Sequence, residues 1–376
     1  MQNLFTAPPK KICILRFSAL GDVCQTVPVL RTLQHHWPDS EITWIIGKTE
    51  ANLVGDIPNV RFIIFDKSRG VSAFADLRRQ LGKQKFDLLL HLQEALRASI
   101  ATLFIKAKIK LGFNRQDAQD HQWLFTNEQV EYLPRSHYMD RLLQFPKRLN
   151  LEPMITWDIP IPEADQKYID QLFPTDEKLL VISPCSSVRR NNWRNWSIEK
   201  YAKISDLAWK KWGMQVVLTG GPSEMEQAYG KEICAMSNTP INNLIGQLNL
   251  KQLLALIKKS QAIISPDSGP AHMATTVGTP VIGLFATSNP EFTGPYNNKT
   301  WNVNRYPDAV QQYLGKSIDE LPWGKRVRDP NAMDIITIDD VAKKLQQLDT
   351  LFNSDQHRQN QEHTTKPIYS TSPDTA

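Results

Sequence analysis

Several features that mark specialised protein classes are missing from this sequence of 376 residues. The four cysteines, Cys13, Cys24, Cys185 and Cys234, show no paired spacing, so we expect reduced structural thiols. No apolar run approaches the roughly 18 residues that a membrane-spanning helix needs, and residues 1–10 lack the apolar core of a secretory signal. These absences predict a cytoplasmic protein without a transmembrane segment.

A strong charge imbalance is also missing. Lysine and arginine total 44 against 39 aspartates and glutamates, a net charge of +5 that is too small and too dispersed to predict nucleic-acid binding. No metal-ligand cluster appears, and no Gly-x-Gly-x-x-Gly follows the first predicted strand, which disfavours a nicotinamide-dependent dehydrogenase. The hydrophobic fraction of 41% is typical of globular proteins, and the length allows two domains.

The sequence does contain a regular alternation of short apolar runs and helical stretches, which predicts an α/β fold with parallel sheets covered on both faces. A polar, proline-bearing crossing near residues 159–175 separates two halves, and a polar, aperiodic segment ends the chain. We therefore predict an N-terminal α/β domain over 1–162, a C-terminal α/β domain over 163–352 and a disordered tail over 353–376. The predicted strands cover residues 11–16, 42–46, 62–65, 86–92, 179–183, 216–219, 262–265 and 281–285.

The stretch 261–296 predicts a strand, a tight turn, a helix and a second strand. A turn of this kind offers backbone N–H groups and the positive end of a helix dipole to a phosphate. Asp267 would repel a phosphate, so we expect it to bind sugar hydroxyls, whereas His272 would add a donor to the anion. The alternative is a plain helix cap with a surface histidine. The candidate ligand-binding residues of this turn are Asp267, Ser268, Gly269, Pro270, Ala271 and His272.

Two further strand ends carry candidate chemistry. The strand over 179–183 leads into Ser186, Ser187, Arg189 and Arg190, where hydroxyls and guanidiniums together suit a diphosphate, unless they form a solvated loop. At the end of the first strand, Asp22 begins a helix whose dipole would keep its carboxylate ionised. An ionised carboxylate in a crevice can accept a proton from an attacking hydroxyl, although Asp22 could equally cap the helix.

Three motifs together resemble glycosyltransferase family 9, the ADP-heptose:lipopolysaccharide heptosyltransferases, across roughly residues 10–350. The first motif is the segment from Arg16 to Val23. The second contains Ser183, Pro184, Ser186, Ser187 and Trp193, and the third is the segment from Asp267 to Tyr296. The resemblance implies a GT-B fold of two facing Rossmann-like domains, with the acceptor bound in the first and the donor in the second. It further implies inverting transfer of heptose from ADP-heptose to the lipopolysaccharide inner core, with no metal or other cofactor.

The resemblance also implies residue roles. Asp22 matches the base, Ser186 and Ser187 match hydroxyls on the donor diphosphate, Asp267 matches a contact to the donor sugar, and residues 268–272 match the phosphate turn. The implied acceptor-binding residues are Ser18, Gly21, Arg97, His137 and Arg141. The partners are then a nucleotide sugar and a lipopolysaccharide core at the inner face of the inner membrane, where the protein is expected to be peripheral.

The sequence departs from the family at one place that concerns the donor. Many members carry a lysine one or two residues before the tryptophan of the second motif, where this chain has Asn191 and Asn192. Arg189 or Arg190 can supply the missing charge. Two alternatives stay open: a GT-B-like nucleotide-sugar epimerase, and a non-catalytic protein that binds a nucleotide sugar or lipopolysaccharide. The motifs do not identify which inner-core sugar is the acceptor.

Overall fold

The computed structural model describes residues 3–174, 177–186 and 192–364, with side chains described as far as residue 354. This part of the chain contains two six-stranded sheets in which every neighbouring pair of strands is parallel. The sheets belong to two α/β domains, and the predicted fold class is confirmed.

The N-terminal domain carries the first sheet. Its strands are β1 (Lys11–Leu15), β2 (Glu41–Gly47), β3 (Val60–Phe65), β4 (Phe86–His91), β5 (Ala107–Gly112) and β6 (Glu128–Gln129). Its helices are α1 (Leu20–His36), α2 (Lys48–Val54), α3 (Ser72–Leu81), α4 (Leu96–Ala101), α5 (Tyr138–Leu142) and α6 (Gln144–Arg148). Short 3₁₀ turns lie at Lys67–Arg69, Thr102–Phe104 and Gln122–Phe125.

The C-terminal domain carries the second sheet. Its strands are β7 (Leu179–Ile182), β8 (Gln215–Leu218), β9 (Ile241–Asn243), β10 (Ala262–Pro266), β11 (Val281–Phe285) and β12 (Val303–Asn304). Its helices are α7 (Glu163–Leu172), α8 (Ile198–Trp212), α9 (Glu224–Met236), α10 (Leu250–Lys259), α11 (Gly269–Thr276), α12 (Pro290–Thr293), α13 (Tyr306–Leu314) and α14 (Ile338–Thr364). The 3₁₀ turns are Lys299–Trp301, Ile318–Glu320 and Ala332–Ile335.

The two sheets share one strand order. The first runs β3-β2-β1-β4-β5-β6, and the second, taken from its far edge, runs β9-β8-β7-β10-β11-β12. In each sheet the order reverses once, between β1 and β4 in the first and between β7 and β10 in the second. Ligands of open parallel sheets bind outside the carboxyl ends of the strands at such a reversal. The topology therefore places one binding crevice at β1/β4 and another at β7/β10.

The central strands are buried on both faces, which explains why they are continuous apolar runs without alternation. Residues of β7, β10 and β11 are all buried, and so are those of β1 after Lys11. The apolar core around α1 continues into the core beneath α10 and α11, because α1 packs directly against α11. The two domains thus meet over a shared apolar surface next to the crevices.

Two predicted boundaries differ from the structure. Helix α1 begins at Leu20, two residues before the predicted start at Asp22, because the N–H of Ala19 donates to Asp22, three residues on, and closes the first turn earlier. Helix α14 continues to Thr364, so residues 353–364 are helical where a disordered tail is predicted. A polar composition of this kind does not exclude a helix.

Candidate active site

The two crevices open into a single cavity of about 590 Å³ between the domains. Its walls come from the loops after β1, β4, β7 and β10, which are the two points where strand order reverses, with additional residues from α12 and from the segment after α13. The lining residues used below are Arg16, Ser18, Gly21, Asp22, Gln25, Glu94, Gln119, Tyr138, Ser186, Arg194, Asp267, Ser268, Gly269, His272, Phe292, Thr293 and Arg326.

Asp22 is both a helix-capping residue and a wall of the cavity. Its Oδ2 atom accepts a hydrogen bond of 2.9 Å from the N–H of Ala19 and forms an ion pair with Arg16. The side chain is nevertheless 37% exposed, so the carboxylate faces the cavity. Asp22 therefore occupies both positions considered from sequence: it caps the helix, and its carboxylate lies in the crevice.

Arg16 is the buried cation that fixes the Asp22 carboxylate. Its side chain is only 5% exposed, and its guanidinium donates to the carbonyl of Leu92 and, at 2.7 Å, to the hydroxyl of Tyr138. Burial alone lowers the pKa of Arg16, but the Asp22 carboxylate and the Tyr138 hydroxyl outweigh it and raise that pKa above its ordinary value. Arg16 is therefore a fixed cation that holds one oxygen of Asp22 in place.

Glu94 adds a second carboxyl group to the wall that the N-terminal domain contributes to the cavity. Burial raises the pKa of Glu94 to about 7, against the opposing effects of the N–H of Gln119 and of the Arg16 and Arg141 charges. The Gln119 N–H donates to Glu94 Oε1 at 3.0 Å and fixes its position. This carboxyl group therefore changes charge near neutral pH. Sequence analysis does not single it out, because its burial arises from distant parts of the chain.

In the C-terminal domain, Asp267 lies in the turn between β10 and α11 and is buried. Arg194 donates to the backbone carbonyl of Asp267 at 2.8 Å and pairs with its Oδ2 atom at 3.4 Å. The hydroxyls of Ser265 and Ser268 lie 2.7 Å apart and brace the turn from within. Arg194 is a cavity cation that the sequence analysis misses, and it directly follows the tryptophan of the second motif.

His272 reaches across to the N-terminal domain. Gln25 Nε2 lies 3.2 Å from His272 Nδ1, so the ring accepts at Nδ1 and carries its proton on Nε2. Burial lowers the pKa of His272, and the nearby Asp267 and Asp22 carboxylates oppose that shift only in part. The ring is therefore a neutral donor at neutral pH and not a cation.

The structure brings together part of the predicted donor site. Ser186, Asp267, Ser268, Gly269 and His272 line the cavity. The Ser186 hydroxyl donates to Asn192 at 2.8 Å, which keeps the start of this loop near the cavity. Pro270 and Ala271 are not among the lining residues, and the Ala271 side chain is buried in the core. The predicted residues Ser187, Arg189 and Arg190, and Asn191 beside them, lie outside the described residues.

Of the predicted acceptor-binding residues, Ser18 and Gly21 line the cavity and the other three do not. His137 is buried, accepts from the N–H of Met139 at 3.1 Å and donates to the carbonyl of Gly294 at 2.8 Å, so both ring nitrogens are used within the protein. Arg141 pairs with Asp117 at 3.0 Å. These two side chains join protein segments instead of facing the cavity, and Arg97 lies on the exposed surface of α4.

The sequence matches glycosyltransferase family 9 (heptosyltransferase) over residues 74–317. The chain belongs to this family. It is 40% identical to the lipopolysaccharide core heptosyltransferase OpsX of Haemophilus influenzae, in an alignment that covers 92% of this chain and 99% of that protein. It is also 25% identical to lipopolysaccharide heptosyltransferase 3 of Escherichia coli strain K12, over 87% of this chain and 95% of that one.

Solved structures of family 9 enzymes share the fold. The glycosyltransferase family 9 protein of Veillonella parvula superposes with a TM-score of 0.72 at 22% identity, covering 91% of this chain and 97% of that one. Escherichia coli heptosyltransferase WaaC with ADP superposes with a TM-score of 0.68 at 18% identity, covering 90% and 99%. Within the described residues, no helix has the length and apolarity to cross a membrane.

Proposed function

We propose that this family 9 enzyme transfers heptose from ADP-heptose to the lipopolysaccharide inner core, with inversion at the anomeric carbon and without a metal ion. The observation that carries the proposal is the shared cavity, in which Asp22 of the N-terminal domain faces the β10–α11 turn of the C-terminal domain. The relatives named lipopolysaccharide heptosyltransferases, and the WaaC structure described with ADP, support the same substrates.

On the donor side, the β10–α11 turn presents backbone N–H groups at the positive end of a helix that begins at Gly269. Such a terminus suits the diphosphate of ADP-heptose. Arg194 is held beside it by Asp267, and Ser186 adds a hydroxyl on the adjoining loop. These groups stabilise the negative charge that accumulates on the leaving ADP. Asp267, as an anion, is suited to the hydroxyls of the heptose.

On the acceptor side, Asp22 takes the proton of the attacking hydroxyl. The hydroxyl oxygen forms a bond to the anomeric carbon, the bond from that carbon to the β-phosphate oxygen breaks, and ADP leaves with the electron pair. The proton stays on the carboxyl group of Asp22. Since Arg16 and the Ala19 N–H engage Oδ2, the other oxygen, Oδ1, is the one assigned to the proton.

The acceptor is anchored in a membrane, and the N-terminal domain offers a surface suited to one. Four large aliphatic side chains are exposed on adjoining segments: Val71 (86%), Leu96 (51%), Leu103 (67%) and Leu124 (63%). Arg97 is exposed beside Leu96, and Ala95, which precedes them, lines the cavity. Exposed aliphatic residues with a nearby cation suit shallow insertion into an anionic lipid surface. We therefore place the protein peripherally at the cytoplasmic face of the inner membrane.

A donor screen tests the proposed activity. Purified protein is mixed with ADP-heptose and ADP-sugar analogues, with and without a delipidated core acceptor, and ADP release is followed. We expect release that depends on the acceptor and is fastest with ADP-heptose. ADP-heptose turned over without acceptor into an epimeric sugar nucleotide would indicate an epimerase. Tight ADP-heptose binding with no turnover on any core acceptor would indicate a non-catalytic binding protein.

A further inference from the structure

A second cavity, of about 630 Å³, adjoins the first and is lined by residues that the proposed chemistry does not use. It lies along the boundary between the domains, next to α12. Four residues line both cavities, Gln119, Phe292, Thr293 and Arg326, so the two spaces are adjacent. A molecule whose reactive hydroxyl lies near Asp22 can therefore extend a substituent into the second cavity, which we call the basic cavity.

The basic cavity carries three cations from one short segment, Lys325, Arg326 and Arg328. Among the described residues, no carboxylate forms an ion pair with any of them. The backbone of this segment is fixed: the N–H of Val327 donates to the carbonyl of Thr287 at 3.0 Å, just after β11, and the Val327 side chain is buried. The neighbouring arginines are thus held at the cavity by an anchored backbone.

Two hydroxyl groups strengthen the case for a ligand. Ser288 and Thr293 line the basic cavity, and in the described part of the chain neither hydroxyl oxygen has a hydrogen-bond partner, although both atoms are buried. Ser288 is only 3% exposed. Buried hydroxyls without partners are uncommon in proteins, because leaving them unsatisfied costs about 1–3 kcal/mol. Rotation of either side chain about its Cα–Cβ bond would turn the hydroxyl toward a ligand oxygen in this cavity.

We propose that the basic cavity binds an anionic substituent, phosphate or carboxylate, of the acceptor sugar, and so selects charged acceptors. Three cations and unpartnered hydroxyls are the complement of such a group. The donor's charged groups already have the β10–α11 turn and Arg194 on the far side of the first cavity. The proposal rests on the function proposed above, and it gives the C-terminal domain a part in choosing the acceptor.

Steady-state kinetics of the Lys325→Gln/Arg328→Gln double variant test the proposal, because neither side chain lines the first cavity. Both residues are exposed, so the fold should tolerate the change. We expect the KM for the core acceptor to rise about tenfold, the lower end of what charged hydrogen bonds contribute. The effect on kcat should be smaller, and the calorimetric affinity for ADP should stay within about twofold. Lys316→Gln, which removes an exposed charge outside both cavities, is the matched control.

Three results would overturn the proposal: an unchanged acceptor KM in the double variant, an equal rise in Lys316→Gln, or an equal loss of ADP affinity. The last would assign the cations to the donor diphosphate. Comparing a phosphorylated with a dephosphorylated acceptor identifies the anion. If the difference in acceptor KM between wild type and the double variant disappears with the dephosphorylated acceptor, the bound group is phosphate. If the difference persists, the bound group is a carboxylate.

Binding of inorganic phosphate separates this proposal from the proposed function. If wild-type protein transfers no heptose, the transferase assignment fails, yet calorimetric titration with phosphate still reports on the basic cavity. Phosphate bound by wild type and by Lys316→Gln, but at least about tenfold more weakly by the double variant, supports an anion site there. Equal binding by all three proteins rejects it.

Discussion

Gly21 of the N-terminal domain lies directly against the imidazole of His272 in the C-terminal domain. A Cβ atom built on Gly21 would come within 2.4 Å of His272 Cδ2, closer than real atoms approach. His272 has little freedom to move, because it is buried and bonded to Gln25. The absence of a side chain at position 21 therefore allows the two halves of the active site to meet.

We expect Gly21→Ala to destabilise the protein, although alanine is the better helix former by about 0.5–1 kcal/mol. The clash with His272 should cost about 1–3 kcal/mol, as overpacking does, and should also lower transfer activity by displacing the ring. Urea denaturation measures the free energy of unfolding. Gly220→Ala is the control, since its new methyl group meets nothing closer than 3.4 Å. A Gly21→Ala protein more stable than wild type would show that the interface between Gly21 and His272 accommodates the added methyl group at little cost.

Asp22→Asn should lower turnover by roughly two to four orders of magnitude, the range expected for a lost general base. An asparagine oxygen can still accept from the Ala19 N–H, so helix α1 should keep its first turn. Arg16 loses its carboxylate but keeps Leu92 and Tyr138 as partners. Turnover is measured by ADP release, and thermal unfolding checks the fold. Wild-type turnover in this variant would remove Asp22 from the mechanism.

Asp267→Ala should spare ADP binding yet impair transfer of the sugar. Removing the carboxylate takes a negative charge away from the diphosphate site and releases Arg194 from its ion pair, so ADP affinity should stay equal or increase. Calorimetric titrations with ADP and with ADP-heptose separate the two effects. Parallel losses for both ligands would mean that Asp267 shapes the turn and does not bind the sugar.

Glu94→Gln should become more stable relative to wild type as pH rises from about 4.5 to about 7. Because the folded pKa of Glu94 is raised to about 7, folded protein binds more protons than unfolded protein in this window, so wild-type stability falls with rising pH. Above pH 7 the difference should be constant, on the order of 1–3 kcal/mol. Glutamine keeps an acceptor for the Gln119 N–H. Denaturation at pH 4, 6 and 8 measures the effect, and parallel curves for both proteins would contradict it.

Transfer should survive EDTA. Positive charge for the departing ADP is available from Arg194 and the N-terminus of α11, so we expect no change in initial rate after chelation and desalting. ADP release is followed before and after addition of Mg²⁺ or Mn²⁺. Loss of activity on chelation, restored by either ion, would show that a metal takes part in the reaction.

The β10–α11 turn could be predicted from sequence because its signals are local. A short apolar strand, a proline in the first helical turn and a glycine after the helix all lie between residues 262 and 278, close to Asp267 in the chain. The parallel sheets follow equally from apolar runs that alternate with helical stretches. The strand bounds agree to within about two residues, since burial on both faces demands apolar residues along the whole strand.

The contacts between domains could not be predicted in the same way. His137 donates to Gly294, which lies 157 residues further along the chain, and no local pattern specifies that pairing. A histidine and an arginine near the start of a helix suggest ligand contacts, but tertiary packing assigns His137 to Gly294 of the other domain and Arg141 to Asp117 of its own domain. Glu94 cannot be identified from local sequence either, because its raised pKa comes from burial among residues that are distant in the chain, such as Gln119.

The carboxyl ends of both sheets point toward the shared cavity, so the loops that touch substrates are separate from those that close the opposite ends of the sheets. Mutations in the substrate loops therefore leave most of the strand packing intact. This separation lets a lineage of such enzymes change its sugar acceptor through loop exchange while inheriting the scaffold. The segment carrying Lys325, Arg326 and Arg328 is a natural unit for that exchange, because the backbone N–H and the buried side chain of Val327 anchor it while the three cations are free to vary.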